Sequence, residues 1–256
     1  MCIIKLSDVA NKEKGAWKEM TEDDNEKIYK TETHLHVSEV SRCSLVQSYE
    51  VIRLYYEAGY KTVFVTDHFG EFTFERLGDI PWHEKIIIFL SGYYKAKEEG
   101  RKLGMNVLLA AEFNFPGTPN HYLAYGIDKE FLCLYPNLCE MDVKEFAEIA
   151  RKHNILVIQA HPSRDGICYP TLEFVDGLET YNSNQRHEDE NDRVETLARD
   201  HHLYMTCGSD THKIEDVGGC AVVSEKEIKT VDDFIELIKS GQAKIYKGCD
   251  SDDLSS

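Results

Sequence analysis

The residues able to do chemistry recur at one kind of place in this sequence. His34-Leu35-His36, Asp67-His68, Glu112, His121, His161 and Asp210-Thr211-His212 each stand beside an apolar or β-branched run. Imidazole and carboxylate together are a donor set for zinc, iron and manganese. In the HxH pair, i, i+2 spacing sets both rings on one side of an extended strand. Two positions resist an ordinary surface reading. Glu112 follows Leu108-Leu109-Ala110-Ala111, where a carboxylate costs several kcal/mol unless a cation or hydrogen-bond donors satisfy it. His161 directly follows Leu156-Val157-Ile158-Gln159-Ala160. Taken singly, the others have plain alternatives: a solvated strand face for the HxH pair, a helix N-cap for Asp67, a polar turn for Asp210-Thr211-His212. Together they exceed one tetrahedral ion, and two or three ions sharing a bridging carboxylate is the economical reading.

The elements that must position these residues alternate along the chain. Hydrophobic patterning predicts strands at 30–36, 62–66, 107–112, 122–127, 155–160, 178–181 and 203–207, with short late strands at 220–223 and 243–246. Helices are expected at 45–58, with Leu45, Tyr49, Ile52, Tyr55 and Tyr56 near one face, and at 83–103, 143–153, 191–201 and 231–240. Repeated strand-then-helix order implies parallel strands joined by crossover helices. About seven such units suit a (β/α) barrel with fewer strands than the usual eight. A doubly wound open sheet is the alternative, but no GxGxxG follows the first strand. In a barrel all C-terminal strand ends open on one face, so donors far apart in sequence would converge. Residues 1–29 are expected to form an N-terminal extension with a solvated loop near 20–27, residues 30–247 the barrel, and residues 248–256 an acidic, frayed tail.

Composition narrows the function classes. The chain has 256 residues, 42% of them hydrophobic, and 46 acidic against 29 basic residues give a net charge of −17. Such a surface repels nucleic-acid backbones and anionic membranes unless cations or a basic patch intervene. No run approaches the roughly 20 apolar residues that span a bilayer. The N-terminus lacks the pattern of a secretory signal, and the eight cysteines form no CxxC pair, so free thiols in a reducing cytosol are expected. Of the 11 histidines, His83, His153, His187, His201 and His202 fall away from the strand ends.

In order, His34-Leu35-His36, Thr66-Asp67-His68, Glu112, His121-Tyr122-Leu123, His161-Pro162 and Gly208-Ser209-Asp210-Thr211-His212 resemble the polymerase and histidinol phosphatase (PHP) superfamily. The resemblance covers roughly residues 30–215. It implies a distorted seven-stranded (β/α) TIM-like barrel with a di- or trinuclear site of zinc, manganese or iron at the strand C-termini. It implies one ion on His34, His36, Glu112 and Asp210, a second sharing Glu112 with His121 and His161, and a third on His68 and His212. Family members often add an Asp or His five or six residues after the second histidine. Those positions are Ser41 and Arg42 here, and Glu39 is the acidic residue nearby. Glu32 stands where the family has an Asp. Asp67 is expected to orient His68 or a metal-bound water. Arg164 is expected either to fork onto a phosphate or to pair with Asp165, and Arg42, Asn182, Arg186 and Lys213 are further phosphate contacts.

The expected function is metal-dependent phosphoester hydrolysis, with a metal-bound hydroxide attacking phosphorus in line. The acidic surface favours a small phosphomonoester, histidinol phosphate-like or a nucleotide, and weighs against long nucleic acids. The alternatives are a nuclease acting on short or single-stranded ends, a metal-binding regulatory module without turnover, and hydrolysis of a non-phosphate bond.

Overall fold

A computed structural model describes residues 10–13, 16–19 and 28–248. The loop expected at 20–27 and the acidic tail from 249 lie outside the described residues. An antiparallel hairpin of β1 (Ala10–Glu13) and β2 (Ala16–Glu19) comes first. Then follow β3 (Tyr29–Glu32), α1 (Ser48–Glu57), β4 (Tyr60–Val65), β5 (His68–Phe69), α2 (Glu71–Glu75), α3 (Trp82–Phe89), α4 (Ser91–Leu103) and β6 (Asn106–Asn114). The second half holds β7 (His121–Tyr125), α5 (Lys129–Leu134), α6 (Val143–Lys152), β8 (Leu156–Ala160), β9 (Gly177–Asn182), α7 (Asn191–Asp200), β10 (Tyr204–Gly208), β11 (Cys220–Ser224), α8 (Val231–Ser240) and β12 (Lys244–Lys247). Among the described residues no helix is long and apolar enough to cross a membrane.

The main sheet runs β10-β9-β8-β7-β6-β4-β3-β11-β12. It curls until its two sides meet. Leu35, just beyond β3, bridges Thr211, just beyond β10. His36 N–H donates to the Thr211 carbonyl at 3.1 Å, and Thr211 N–H to the His34 carbonyl at 3.3 Å. The ring is therefore β3, β4, β6, β7, β8, β9 and β10, the seven-stranded barrel expected. β11 pairs antiparallel with β3 and β12 with β11, filling the seam on the far side of this closure.

One strand departs from the all-parallel expectation. β7 runs antiparallel to both β6 and β8. The link 115–120 is too short for a crossover, so the chain turns straight back on itself. This reversal sets His121, the first residue of its strand, opposite Asn114 and Ala160, the last residues of its neighbours.

Two helices also differ from expectation. The first begins at Ser48, and Leu45, 71% exposed, belongs to the preceding loop, while Tyr49 and Tyr56 are half-exposed. Its buried face is Val51, Ile52 and Tyr55. The segment expected at 83–103 is two helices meeting at Leu90 (φ −76°, ψ −4°), which stays in the right-handed region with ψ opened from the helical value while its side chain stays buried. That bend lets α3 pack on α5 while α4 packs on α1 and β6. Local signals elsewhere hold. β8 is buried throughout and apolar but for Gln159, which hydrogen-bonds Tyr169 and Thr171, as a strand covered on both faces requires. α6 and α8 open with capping boxes, Asp142/Glu145 and Thr230/Asp233. Inside the barrel, Phe234 of α8 packs on Phe64 and Tyr125, so the interior is solid beneath the open end.

Candidate metal centre

Strand alternation puts Leu35 into the outer core and turns His34 and His36 inward. Their Nε2 atoms lie 3.0 Å apart. Asp210 Oδ1 is 3.4 Å from His34 Nε2 and 3.2 Å from His36 Nε2. Glu112 Oε1 is 3.3 Å from His34 Nε2, and its Oε2 is 3.5 Å from His36 Nε2. Ligands about 2.0–2.2 Å from one tetrahedral ion stand about 3.3–3.6 Å from each other. The spacing here is close to that. Glu112 Oε1 is also 3.0 Å from both His121 Nδ1 and His161 Nε2. His34, His36, Glu112 and Asp210 are almost fully buried.

Hydrogen bonding within the protein leaves this arrangement incomplete. His34 Nδ1 is 2.9 Å from Glu179 Oε1, which leaves Nε2 as the ring's free lone pair facing two carboxylates and another imidazole. His68 Nδ1 and Glu112 Oε2 approach to 2.7 Å without hydrogen-bond geometry. Both, with His161 Nδ1, are buried polar atoms lacking a partner, a pattern that a bound cation resolves. Ligand atoms gather within 4.8 Å in four groups: His34/His36/Asp210, His34/Glu112/His161, His68/Glu112/His121 and His36/His68/His212. The structure thus brings together eight of the nine residues expected to bind metal.

Glu39 is the exception. Its carboxylate accepts from Ser48 Oγ at 2.7 Å and from Ser48 N–H at 3.0 Å, capping α1. The orphan N–H groups of a helix start bind a carboxylate readily, and that contact holds Glu39 away from the ring of donors. Asp67 also differs from expectation. It accepts from Val37 N–H at 3.0 Å and Ser41 Oγ at 2.6 Å, and so fixes the loop after His36 rather than the His68 ring. Ser41 Oγ accepts in turn from His68 N–H at 3.1 Å. Arg164 does not pair with Asp165, whose carboxylate meets His187. It donates from Nε to Asp189 at 2.8 Å and from Nη1 to Asp210 Oδ2 at 2.5 Å.

The supports explain how polar groups survive at this depth. Glu32, fully buried, accepts from the N–H groups of Thr33, His34 and Ser209 and from the Tyr55 hydroxyl, tying β3 to β10. Glu179, in β9, meets His34 with one oxygen and accepts His161 N–H and Asn182 Nδ2 with the other. Such carboxylate–histidine contacts fix the ring orientation of metal ligands. Glu179 is missing from the sequence reading, although a carboxylate in Leu178-Glu179-Thr180 carries the same signal as Glu112. Gly208 is dictated by packing, because a Cβ there would stand 2.4 Å from His34 Cβ. His161 (φ 29°) and Asp210 (φ 49°) adopt left-handed backbone, a strained state common where function fixes geometry.

The electrostatics suit positive charge. Burial opposes ionisation of Glu112, yet His121, His68 and His34 hold it well below the usual carboxylate range. Asp210 is likewise held low against burial by His34, His36 and Arg164. Burial opposes charge on His68 and His34 too, but Glu112 holds His68 up at about 10, and Glu179 with Asp210 raises His34 well above its ordinary value. Burial, then His68 and His212, holds His36 well below. Burial pushes Asp67 up to about 7.

The mouth is more open. Side chains of His121 and His212 are 26% and 15% exposed. Cys43, exposed, sets its Sγ 3.1 Å from His212 Nε2. A polar cleft of about 710 Å³, lined by Asn182, Asn184, Arg186, Asp189 and Lys213, opens on the Asn184 side of Asp210, and none of the eight gathered donors lines it. Arg186 there is held by Asp216, whereas Arg42 and Lys213 form no ion pair among the described residues.

Comparison with known proteins agrees with this architecture. A PHP-associated family model matches residues 188–243. No curated protein matches the sequence. A two-domain protein from Bacteroides vulgatus, containing a predicted PHP-like metal-dependent phosphoesterase, superposes with a TM-score of 0.64 at 18% identity over 88% of this chain and 66% of that one. A protein described as a metal-dependent phosphoesterase, from Bifidobacterium adolescentis, gives 0.53 at 14% identity over 83% and 96%. The lesion-specific endonuclease Q of Pyrococcus furiosus gives 0.56 at 16% identity over 86% and 58%. Endonuclease Q has also been solved on a 27-mer duplex with an abasic lesion at its active site. This chain thus spans just under two thirds of the Bacteroides protein and little more than half of the endonuclease. The fold is shared with proteins described as PHP-like phosphoesterases, and a PHP-associated model matches part of the chain's C-terminal half.

Proposed function

We propose that this chain hydrolyses phosphoesters at a multinuclear metal centre. The observation that carries the reading is the convergence of buried imidazole and carboxylate atoms at ligand spacing, with His68 Nδ1, Glu112 Oε2 and His161 Nδ1 lacking any hydrogen-bond partner. Alternative pairings within the protein leave these atoms costly to bury. His34, His36, Glu112 and Asp210 would hold one divalent ion, Glu112, His121 and His161 a second, and His68 and His212 an outer one. Such ions supply Lewis-acid charge and an activated water to the reaction. The chain does the rest. Glu179 and Glu32 fix the rings and strand ends. Arg164, clamped by Asp189, orients Asp210 and sets a positive charge beside it. Arg42 and Lys213, which form no ion pair among the described residues, would be the groups left to meet a phosphate.

A small phosphomonoester is the favoured substrate. The cleft has the volume of a small-molecule site, about 300–1,000 Å³. Two of its basic neighbours are already neutralised by Asp189, Asp210 and Asp216. That leaves little positive surface to follow a nucleic-acid backbone. A second reading rests on the likeness to endonuclease Q: a barrel of this fold takes a long duplex, so net charge alone does not set nucleic acid aside. Cytoplasmic location remains part of the proposal, on the cysteine usage.

The test is metal analysis of purified protein followed by a phosphoester panel. The double substitution Glu112→Ala with His161→Ala should strip bound metal and lower turnover by about a thousandfold or more. Undiminished turnover in that variant would end the reading. Oligonucleotide turnover that falls steeply with salt, exceeding that of monoesters, would favour the nuclease.

A further inference from the structure

We infer that Cys43 is a metal ligand, its thiolate joining His68 and His212 to complete the outer subsite. This rests on the metal-centre reading above and extends it to a donor of a different chemical kind. Among the described residues, His36, His68 and His212 form the one gathered group that contains no carboxylate. Their rings are close, with His36 4.3 Å from His68 and 4.4 Å from His212 between centroids. An ion held there by imidazoles alone would lack an anionic ligand of its own. Of the nearby carboxylates, Glu39 caps α1 and Asp67 holds Val37 and Ser41, while Asp210, 3.3 Å from His212 Nδ1, and Glu112, 2.7 Å from His68 Nδ1, belong to the ligand sets of the inner ions. Cys43 is the anion-forming side chain left at that side, with Sγ 3.1 Å from His212 Nε2 and a second contact to His68.

The thiol's place is built into the backbone. Ser44 Oγ donates to the His36 carbonyl at 3.0 Å, Leu45 N–H to the His212 carbonyl at 2.8 Å, and Ser41 Oγ accepts His68 N–H at 3.1 Å. Residues flanking Cys43 are thus fastened to the main chain of all three histidines. His68 adds a buried Nδ1 that makes no hydrogen bond among the described residues and faces Glu112 Oε2 at 2.7 Å, so the subsite adjoins the inner centre. On binding, the S–H bond breaks, a sulfur–metal bond forms and the proton leaves to solvent. Thiolate selects zinc, cobalt or iron over manganese and magnesium, so this subsite should differ in metal preference from the carboxylate-rich ones.

The experiment compares wild type, Cys43→Ala and Cys43→Asp after chelation and reloading with cobalt, zinc or manganese. Cobalt-loaded wild type should show a near-ultraviolet thiolate-to-cobalt charge-transfer band that both variants lose. Cys43→Ala should bind one fewer zinc equivalent. Cys43→Asp should keep that equivalent without the band, with its zinc-over-manganese preference reduced about tenfold or more. In wild type, zinc should slow iodoacetamide labelling of Cys43, located by peptide mass, about tenfold or more. An unchanged band and stoichiometry in Cys43→Ala, or labelling indifferent to zinc, would overturn the assignment while leaving the deeper centre standing. A wild-type chain that takes up no divalent metal would overturn both. Cys43 is exposed, so neither substitution opens the core.

Discussion

The two ends of the metal centre are built by different means. The deep end, around His34, Glu112, His161 and Asp210, sits within or just beyond barrel strands and is held from several sides: Glu32 and Glu179 fix His34, Glu179 fixes His161, strand pairing fixes Glu112, and Arg164 with the Asn184 amide fixes Asp210. The rim joins His68, held in β5, to His212 and Cys43 on loops whose own hydrogen bonds locate them. Depth here goes with redundancy of support, because a buried polar group without a partner costs more than any single bond returns. At the rim, water can stand in for a missing partner, so fewer constraints suffice and ligand type is freer to vary.

The largest effect should separate the ends. His34→Ala is expected to remove the inner metal and lower turnover by about a thousandfold or more, since it faces both carboxylates, whereas His212→Ala should lose one equivalent and leave the inner metal bound. Metal analysis of the two variants checks this, and complete metal loss from the rim variant would dissolve the distinction. A smaller effect sharpens it. Glu179→Gln keeps shape but removes the charge facing His34 Nδ1, and metal affinity should fall about 10–100-fold with the chain still folded. Affinity unchanged in a chelator competition would mean that strand geometry alone fixes the ring. The smallest concerns the loop carrying the rim. Leu45→Ser should alter stability in urea by no more than about 0.5 kcal/mol, because the side chain is exposed; a larger loss would restore Leu45 to a buried helix face.

The same division governs what could be read from sequence. His34, Glu112, His161 and Asp210 are legible because strand burial prints itself as apolar runs, and a charged residue at the edge of such a run stands out. Glu179 carries that signal as well, but its run is short and mixed. β7 was expected to be parallel because patterning reports burial and not direction; only the length of the link 115–120 speaks to direction. The rim leaves no period to read. Glu39 has the right residue type at nearly the right spacing, but helix capping at Ser48, a three-dimensional competitor, claims its carboxylate. Cys43 looks like one of several scattered thiols until the fold brings it beside His212. Leu45 shows helical spacing by accident, since it lies in the loop before Ser48, and Tyr49, within α1, stands off the buried face of Val51, Ile52 and Tyr55.

The closure between Leu35 and Thr211 has a consequence for how the barrel holds together. Ser209 Oγ meets the His34 carbonyl across 175 residues of chain, and a few such contacts join the two sides of the sheet. His34 and His36 stand on one side of that seam and Asp210 and His212 on the other. An ion taking ligands from both sides would therefore act as a crosslink. In the chain-entropy model a crosslink closing so long a loop constrains the unfolded chain by about 5 kcal/mol. Metal would then be a staple as well as a reagent. When it is chelated away, the amides of His36 and Thr211 should be among the first of the barrel to exchange their hydrogens with solvent.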